Sequence, residues 1–123
     1  MKRNDAVFLQ HILDAIQRIR EYLTDVSEEE FRERGLVQDA VLRQLEIIGE
    51  ASRNLSDDAR LLHPQVPWDQ IIGLRNKLIH ASFSVDLSIV GEIVREDIPV
   101  LEEEVEDILG SAEGSRTMPR GER

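Results

Sequence analysis

The chain has 123 residues, no cysteine, and 25 acidic against 15 basic residues, for a formal net charge of −10. Its length fits one domain with a modest core and excludes a second catalytic domain. Disulfides are excluded, and no apolar run approaches the roughly 18 residues of a membrane span, so a soluble protein is predicted. The negative charge excludes nucleic-acid binding by the whole surface, so any contact with RNA must be local.

The N-terminus enters an amphipathic pattern without the apolar stretch of a secretory signal, which predicts a cytoplasmic protein. Acidic residues crowd the C-terminal third, where Arg95 is the only base among them: Glu92, Glu96, Asp97, Glu102, Glu103, Glu104, Glu106 and Asp107. A solvated helix face explains this crowding, and a docking surface for a basic partner is the alternative.

The first helix is predicted over residues 5–24, because apolar residues recur there at steps of three and four. Ser27 and Glu30 have the spacing of a capping box, which predicts a short helical turn that carries Phe31 and ends at Gly35. The same apolar period predicts a second helix over residues 37–55. Ser56 then offers a further cap.

Pro64 and Pro67 predict a loop before Trp68. A third helix is predicted to begin at Trp68 and to end near Ser82. Beyond it, Asp86 is predicted to cap a long helical stretch through Ile98. Pro99 should kink or restart that helix, with Asp97 as a plausible cap. Residues 110–123 lack an apolar period and are predicted to form a flexible tail. The predicted fold is all-α, an antiparallel bundle of four to five helices formed by residues 1–109.

Of the three histidines, only His80 stands in a chemically suggestive setting. We interpret His11 as a surface residue and His63 as a turn residue beside Pro64. His80 ends a segment in which polar residues interrupt an apolar helix, namely Arg75, Asn76 and Lys77. These residues could instead form an ordinary exposed stripe, with His80 favoured near the helix C-terminus by the helix dipole.

Helical geometry decides which of these residues share a face. At about 100° per residue, Asn76 and His80 differ by about 40°, whereas Arg75 and His80 differ by about 140°. A single helix therefore does not aim Arg75 and His80 at one point. Two copies of the helix that meet across a two-fold axis could do so, which favours a composite site in a homodimer.

Arg, Asn and His without a metal suit phosphodiester cleavage by the neighbouring ribose 2′-hydroxyl. His80 could take or give the proton, because an imidazole titrates near neutral pH. Arg75 would hold a phosphate oxygen, and Asn76 could orient His80 or bind the phosphate together with Lys77. Such a site requires the 2′-hydroxyl and therefore cuts RNA and spares DNA.

The sequence lacks the motifs that are typical of metal-binding and phosphate-binding sites. There is no Gly-rich phosphate loop, no zinc-binding spacing of His or Cys, and no Glu-x-x-His pair of a di-metal bundle. Glu46 and Glu50 lie one turn apart but have no histidine nearby in sequence. We therefore expect no metal and no cofactor.

The segment Arg75–His80 resembles the Arg-x4-His motif of HEPN ribonucleases, and the surrounding sequence resembles the HepT branch of that superfamily. The similarity runs in order through about residues 5–109. It includes these segments: Ile47-Ile48-Gly49-Glu50-Ala51, His63-Pro64, Pro67-Trp68, Ile71-Ile72-Gly73-Leu74-Arg75-Asn76 and Phe83-Ser84-Val85-Asp86-Leu87.

The resemblance implies a HEPN-type helical homodimer with metal-independent ribonuclease activity from Arg75 and His80. It also implies a toxin whose partner is an MntA-type nucleotidyltransferase antitoxin, with cellular RNA such as tRNA or mRNA as substrate. In the family, a tyrosine two residues after the histidine accepts AMP from the antitoxin. That position is Ser82 here, which leaves open AMP transfer to Ser82, control by occlusion, or loss of control.

Two other functions remain open at this stage. The missing tyrosine and the negative charge motivate a non-catalytic dimeric module that holds a nucleotidyltransferase. The second of these is a nucleotide-binding or stress-related helical protein without nuclease action.

Overall fold

The computed structural model describes residues 3–80 and 87–117, with side chains described for residues 4–74 and 87–111. Helices account for most of these two ranges, which contain no strand, so the predicted all-α class is confirmed. The elements are α1 Arg3–Leu23, α2 Glu28–Glu33, α3 Gly35–Arg53, α4 Asp57–Leu62, α5 Trp68–His80, α6 Leu87–Glu92, a π-helical turn Ile93–Asp97 and α7 Ile98–Thr117. None of the helices within residues 3–80 and 87–117 combines the length and the hydropathy of a membrane span.

The core is built around α3. This helix packs against α1 and against α5, and α1 in turn contacts α7. Val41, Leu45 and Ile48 of α3 have no exposed surface, because their three- and four-residue spacing keeps them on the inner face of the helix. The same period on α1 places Ile12 and Ile16 opposite them in one continuous apolar cluster.

A polar contact joins the beginning of α1 to the corner between α3 and α4. The carboxylate of Asp5, only 3% exposed, accepts hydrogen bonds from the backbone N–H of Ser56 at 2.8 Å and from its hydroxyl at 2.7 Å. The same Ser56 hydroxyl accepts from the N–H of Ala59 and thereby caps α4, as the sequence predicts. Because the start of α1 thus meets the end of α3, these two helices run antiparallel.

The connection between α1 and α3 confirms one prediction and corrects another. Ser27 and Glu30 form the expected capping box, and α2 buries Phe31. Gly35 does not end this turn, as the sequence suggested, but is the first residue of α3. The break falls instead at Arg34, whose extended backbone separates the two helices, and no described glycine has the positive φ that a glycine C-cap requires.

The helix is interrupted directly before Pro99 and α7 begins at Ile98, as a restart there predicts, but Asp97 does not cap the new helix. Asp97 lies inside the π-helical turn, and the backbone is helical on both sides of it, at Glu92 and Ile98. A widened turn immediately before a proline is physically reasonable, since proline has no N–H to donate and its ring crowds the carbonyl four residues earlier. The predicted cap Asp86 lies outside the described residues.

The C-terminal boundary is also later than predicted. Helix α7 continues to Thr117, so residues 110–117, which we predicted to belong to a flexible tail, are helical. Extending an existing helix is much easier than nucleating one, and Ala112, Glu113 and Arg116 are good helix formers. Residues 118–123 lie outside the described part of the chain.

We expect Ser56→Ala to destabilise the fold by roughly 2–3 kcal/mol, because it removes the α4 cap and leaves the buried Asp5 carboxylate without its hydroxyl partner. Ser27→Ala is the matched control, since it removes an exposed cap and should cost about 1 kcal/mol or less. Urea unfolding followed by circular dichroism measures both. Equal losses for the two variants would contradict the structural role of the Asp5 contact.

Truncation of the α3 core gives a second prediction. Ile48→Ala should lower the free energy of unfolding by about 2–5 kcal/mol, because Ile48 is completely buried between packed helices. Leu36→Ala, on the same helix but 89% exposed, should change it by less than about 0.5 kcal/mol. A small effect of Ile48→Ala in the same urea titration would refute the central position of α3.

Candidate active site

The helix that carries the candidate catalytic residues, α5, is anchored at its first turn. The indole N–H of Trp68, a residue only 6% exposed, donates to the backbone carbonyl of His63 at 3.0 Å. The N–H of Ile71 donates to the carbonyl of Pro67 at 3.1 Å, so the proline loop passes directly into the helix. These contacts fix the first turn of α5, the helix along which the Arg-x4-His motif lies.

Arg75, Asn76, Lys77 and His80 all lie on α5, as the sequence predicts. Arg75 and His80 are five residues apart, which on a continuous α-helix separates them by about 140° around the axis and about 7.5 Å along it. Their side chains, and the whole of Ser82, lie outside the described part of the structure. The backbone alone therefore establishes that the motif occupies one helix and that its two ends lie on different faces.

One flank of α5 borders an open groove, whereas the other packs on α3. This groove lies between α5 and the α6–α7 segment and has a volume of about 990 Å³. Buried side chains form its floor, among them Ile71, Ile93 and Leu101. Two exposed apolar residues stand at its edge, Ile89 (44% exposed) and Val100 (55%). We call it the α5 groove.

The rim of the α5 groove is acidic. Glu92 and Asp97 line it and are exposed, and Glu104 lines it with a carboxylate that accepts a hydrogen bond from Gln65 at 2.8 Å. Two described arginines form ion pairs with carboxylates outside this lining, Arg95 with Glu28 and Arg20 with Glu102. Six of the eight crowded acidic residues of the sequence are exposed, in accordance with a solvated face.

The other two histidines have ordinary surroundings. His11 is exposed on α1, and its ring meets that of Phe8 edge-on at a centroid distance of 5.9 Å. His63 is the C-terminal cap residue of α4, where its backbone N–H donates to Arg60 and its carbonyl accepts from Trp68. The structure therefore places His11 at the surface and His63 in a turn, as interpreted from the sequence.

A smaller cavity of about 280 Å³ lies between α1 and α3, and it contains the carboxylate pair noted in the sequence. Glu46 and Glu50 both line it, and Glu46 forms a 3.5 Å ion pair with Arg43. His11 lines the same cavity, a proximity that the sequence does not reveal because the two helices are distant along the chain. Among the side chains of residues 4–74 and 87–111, no three metal-binding groups are clustered as a metal site requires.

Sequence reasoning missed the α5 groove. Its edge residues Ile89 and Val100 stand next to Val90 and Leu101, whose burial accounts for the apolar period of this helical stretch. Each exposed residue directly precedes a buried one in the sequence, so it adds an apolar position that the regular period does not need. Such additional apolar positions are the signal that could have identified a second apolar face.

Comparison with known proteins agrees with the described fold. Residues 12–108 match the family described as Ribonuclease HepT-like. The "Probable ribonuclease HepT" of Thermococcus cleftensis is 43% identical over 108 residues, which cover 88% of this chain and 98% of that protein. A "Putative RNase" of Methanocaldococcus jannaschii is 43% identical over 105 residues, which cover 85% of this chain and 96% of the relative.

A third relative, a "Putative RNase" of Caldanaerobacter subterraneus subsp. tengcongensis, is 41% identical over 102 residues, covering 83% of this chain and 91% of that protein. No solved structure matches the chain. The match to the family spans the helices from α1 into α7 and includes all of α5. The chain belongs to the HepT-like ribonuclease family of the HEPN superfamily.

Proposed function

We propose that this protein is a metal-independent RNA endonuclease and the toxin of a toxin–antitoxin pair, with Arg75 and His80 as its catalytic residues. The observation that carries the proposal is membership of the HepT-like ribonuclease family together with an intact Arg-x4-His motif on one continuous helix. An acidic protein can act on RNA if the phosphate is held locally by Arg75 and Lys77.

The geometry of α5 supports a site shared by two copies of the chain. Arg75 and His80 lie about 140° apart on the helix, so one α5 cannot direct both at the same phosphate. In a homodimer with two-fold symmetry, the C-terminal halves of two α5 helices would meet, and Arg75 of one copy would approach the partner subunit's His80.

The proposed reaction is an internal transfer at the phosphodiester. A base removes the proton of the ribose 2′-hydroxyl, the 2′-oxygen attacks phosphorus, and the bond to the 5′-oxygen of the next nucleotide breaks as that oxygen is protonated. His80 serves one of these proton transfers, and Arg75 neutralises the charge that develops on the non-bridging oxygens. The products are a 2′,3′-cyclic phosphate, which can open to a 3′-phosphate, and a free 5′-hydroxyl.

The proposed antitoxin is an MntA-type nucleotidyltransferase, as the HepT resemblance implies. Ser82 occupies the position of the family's AMP-accepting tyrosine. A serine side chain is shorter than a tyrosine side chain, so it holds its hydroxyl closer to the backbone. We propose that the antitoxin controls this chain either by AMP transfer to Ser82 or by covering the cleft. Mass spectrometry of Ser82 after incubation with the antitoxin and ATP separates these two modes.

We expect the purified protein in EDTA to cut a labelled RNA pool and to leave a DNA of matching sequence intact, because the nucleophile is the 2′-hydroxyl. His80→Ala and Arg75→Ala should each lower the cleavage rate at least about 100-fold, in the usual range for a lost proton donor or charge stabiliser. His11→Ala and Arg43→Ala are matched controls on the exposed surface and should retain full activity.

The alternative is a non-catalytic dimeric module that holds a nucleotidyltransferase, and the net charge of −10 and the serine at position 82 favour it. Intact RNA with the unmodified protein and all four variants would support this module. Loss of cleavage on chelation by EDTA, or equal cutting of DNA, would refute the proposed mechanism even if the protein proves to be a nuclease.

A further inference from the structure

The α5 groove has the apolar lining of a docking site for a helix. Its volume of about 990 Å³ lies between helical walls, α5 on one side and the α6–α7 segment on the other. A buried apolar floor and two exposed apolar edge residues, Ile89 and Val100, give it the character of a hydrophobic groove that receives the apolar face of an amphipathic helix.

The charges around the groove indicate what kind of helix fits. Glu92, Asp97 and Glu104 stand along its lining, and among the side chains that the structure describes this lining contains no lysine or arginine. Carboxylates beside an apolar floor complement a helix whose apolar stripe is flanked by lysine or arginine. An acidic or neutral helix would bury the same apolar area without this attraction.

The same charges disfavour a second copy of this chain in the groove. A two-fold contact through this surface would bring Glu92 and Asp97 of one copy towards the identical carboxylates of the other. Like charges brought together at an interface are destabilising, and the chain already carries a net charge of −10. The groove therefore favours a different, basic partner.

We infer that the α5 groove is a docking site for a basic amphipathic helix of another protein. Ile89 and Val100 contact its apolar stripe, and Glu92, Asp97 and Glu104 attract its lysine and arginine side chains. The inference does not rest on the proposed nuclease function, because the side chains that carry it all lie within residues 4–74 and 87–111.

The test uses the full chain and two designed peptides of about 18 residues, which share a leucine stripe at helical spacing and differ in their flanks, lysine in one and glutamate in the other. Calorimetry measures binding, and the single tryptophan, Trp68, which follows the groove residue Pro67, gives a fluorescence readout. We expect the lysine peptide to bind at least about tenfold more tightly than the glutamate peptide, with a preference that decreases as salt is added.

Two pairs of variants separate the groove from general attraction to an acidic protein. Ile89→Asp should weaken the lysine peptide at least about tenfold, whereas Leu36→Asp, at an exposed apolar position outside the groove, should leave binding unchanged. Glu92→Gln with Asp97→Gln should remove most of the preference for lysine. Glu21→Gln with Glu33→Gln makes the same change in net charge at exposed positions elsewhere and should not.

Equal weakening by the groove pair and by the control pair would overturn the inference, since binding would then depend on net charge alone. It would also be overturned if sedimentation showed a dimer that Ile89→Asp dissociates and Leu36→Asp does not, because the groove would then belong to a second copy. A failure of this test leaves RNA cleavage unaffected, and RNA cleavage can fail while peptide binding persists.

Discussion

The burial of α3 between its neighbours is the interaction on which the rest of the structure depends. Val41, Leu45 and Ile48 are completely buried, and α3 is the helix that contacts both α1 and α5. The helix that carries Arg75 and His80 is therefore held by the same apolar surface that holds the bundle together. A substitution that disturbs this core would therefore displace α5 and the candidate site, even with Arg75 and His80 unchanged.

Held on one flank by α3 and at its first turn by Trp68, α5 leaves its other flank beside an open groove. The described side chains in the N-terminal half of α5 line the core and the groove, and the Arg-x4-His motif begins in the C-terminal half of the same helix. Acidic residues of the α6–α7 segment lie beside the groove. In the proposed reaction, Arg75 and Lys77 of the C-terminal half supply the positive charge that holds the phosphate.

The regular part of this fold is predictable from sequence because its causes are local. The apolar period predicts α1, α3 and α5, and the hydroxyls of Ser27 and Ser56 mark the helix caps that the structure shows. The start of α3 at Gly35 and the π-helical turn before Pro99 depend on small differences in backbone energy between neighbouring residues, which the period does not contain. The α5 groove depends on the packing between helices distant in sequence. The motif can be located on its helix from sequence, but the site that we propose takes residues from two chains, and the periodicity of one chain does not contain their arrangement.

The most direct test of the account is subunit complementation between Arg75→Ala and His80→Ala, each inactive alone. If each site takes Arg75 from one copy and His80 from the other, an equal mixture of the two variants that exchanges subunits freely should recover about a quarter of the normal cleavage rate, since half of the dimers are mixed and each has one intact site. A mixture that remains as inactive as its components, although mass spectrometry shows mixed dimers, would contradict the shared site.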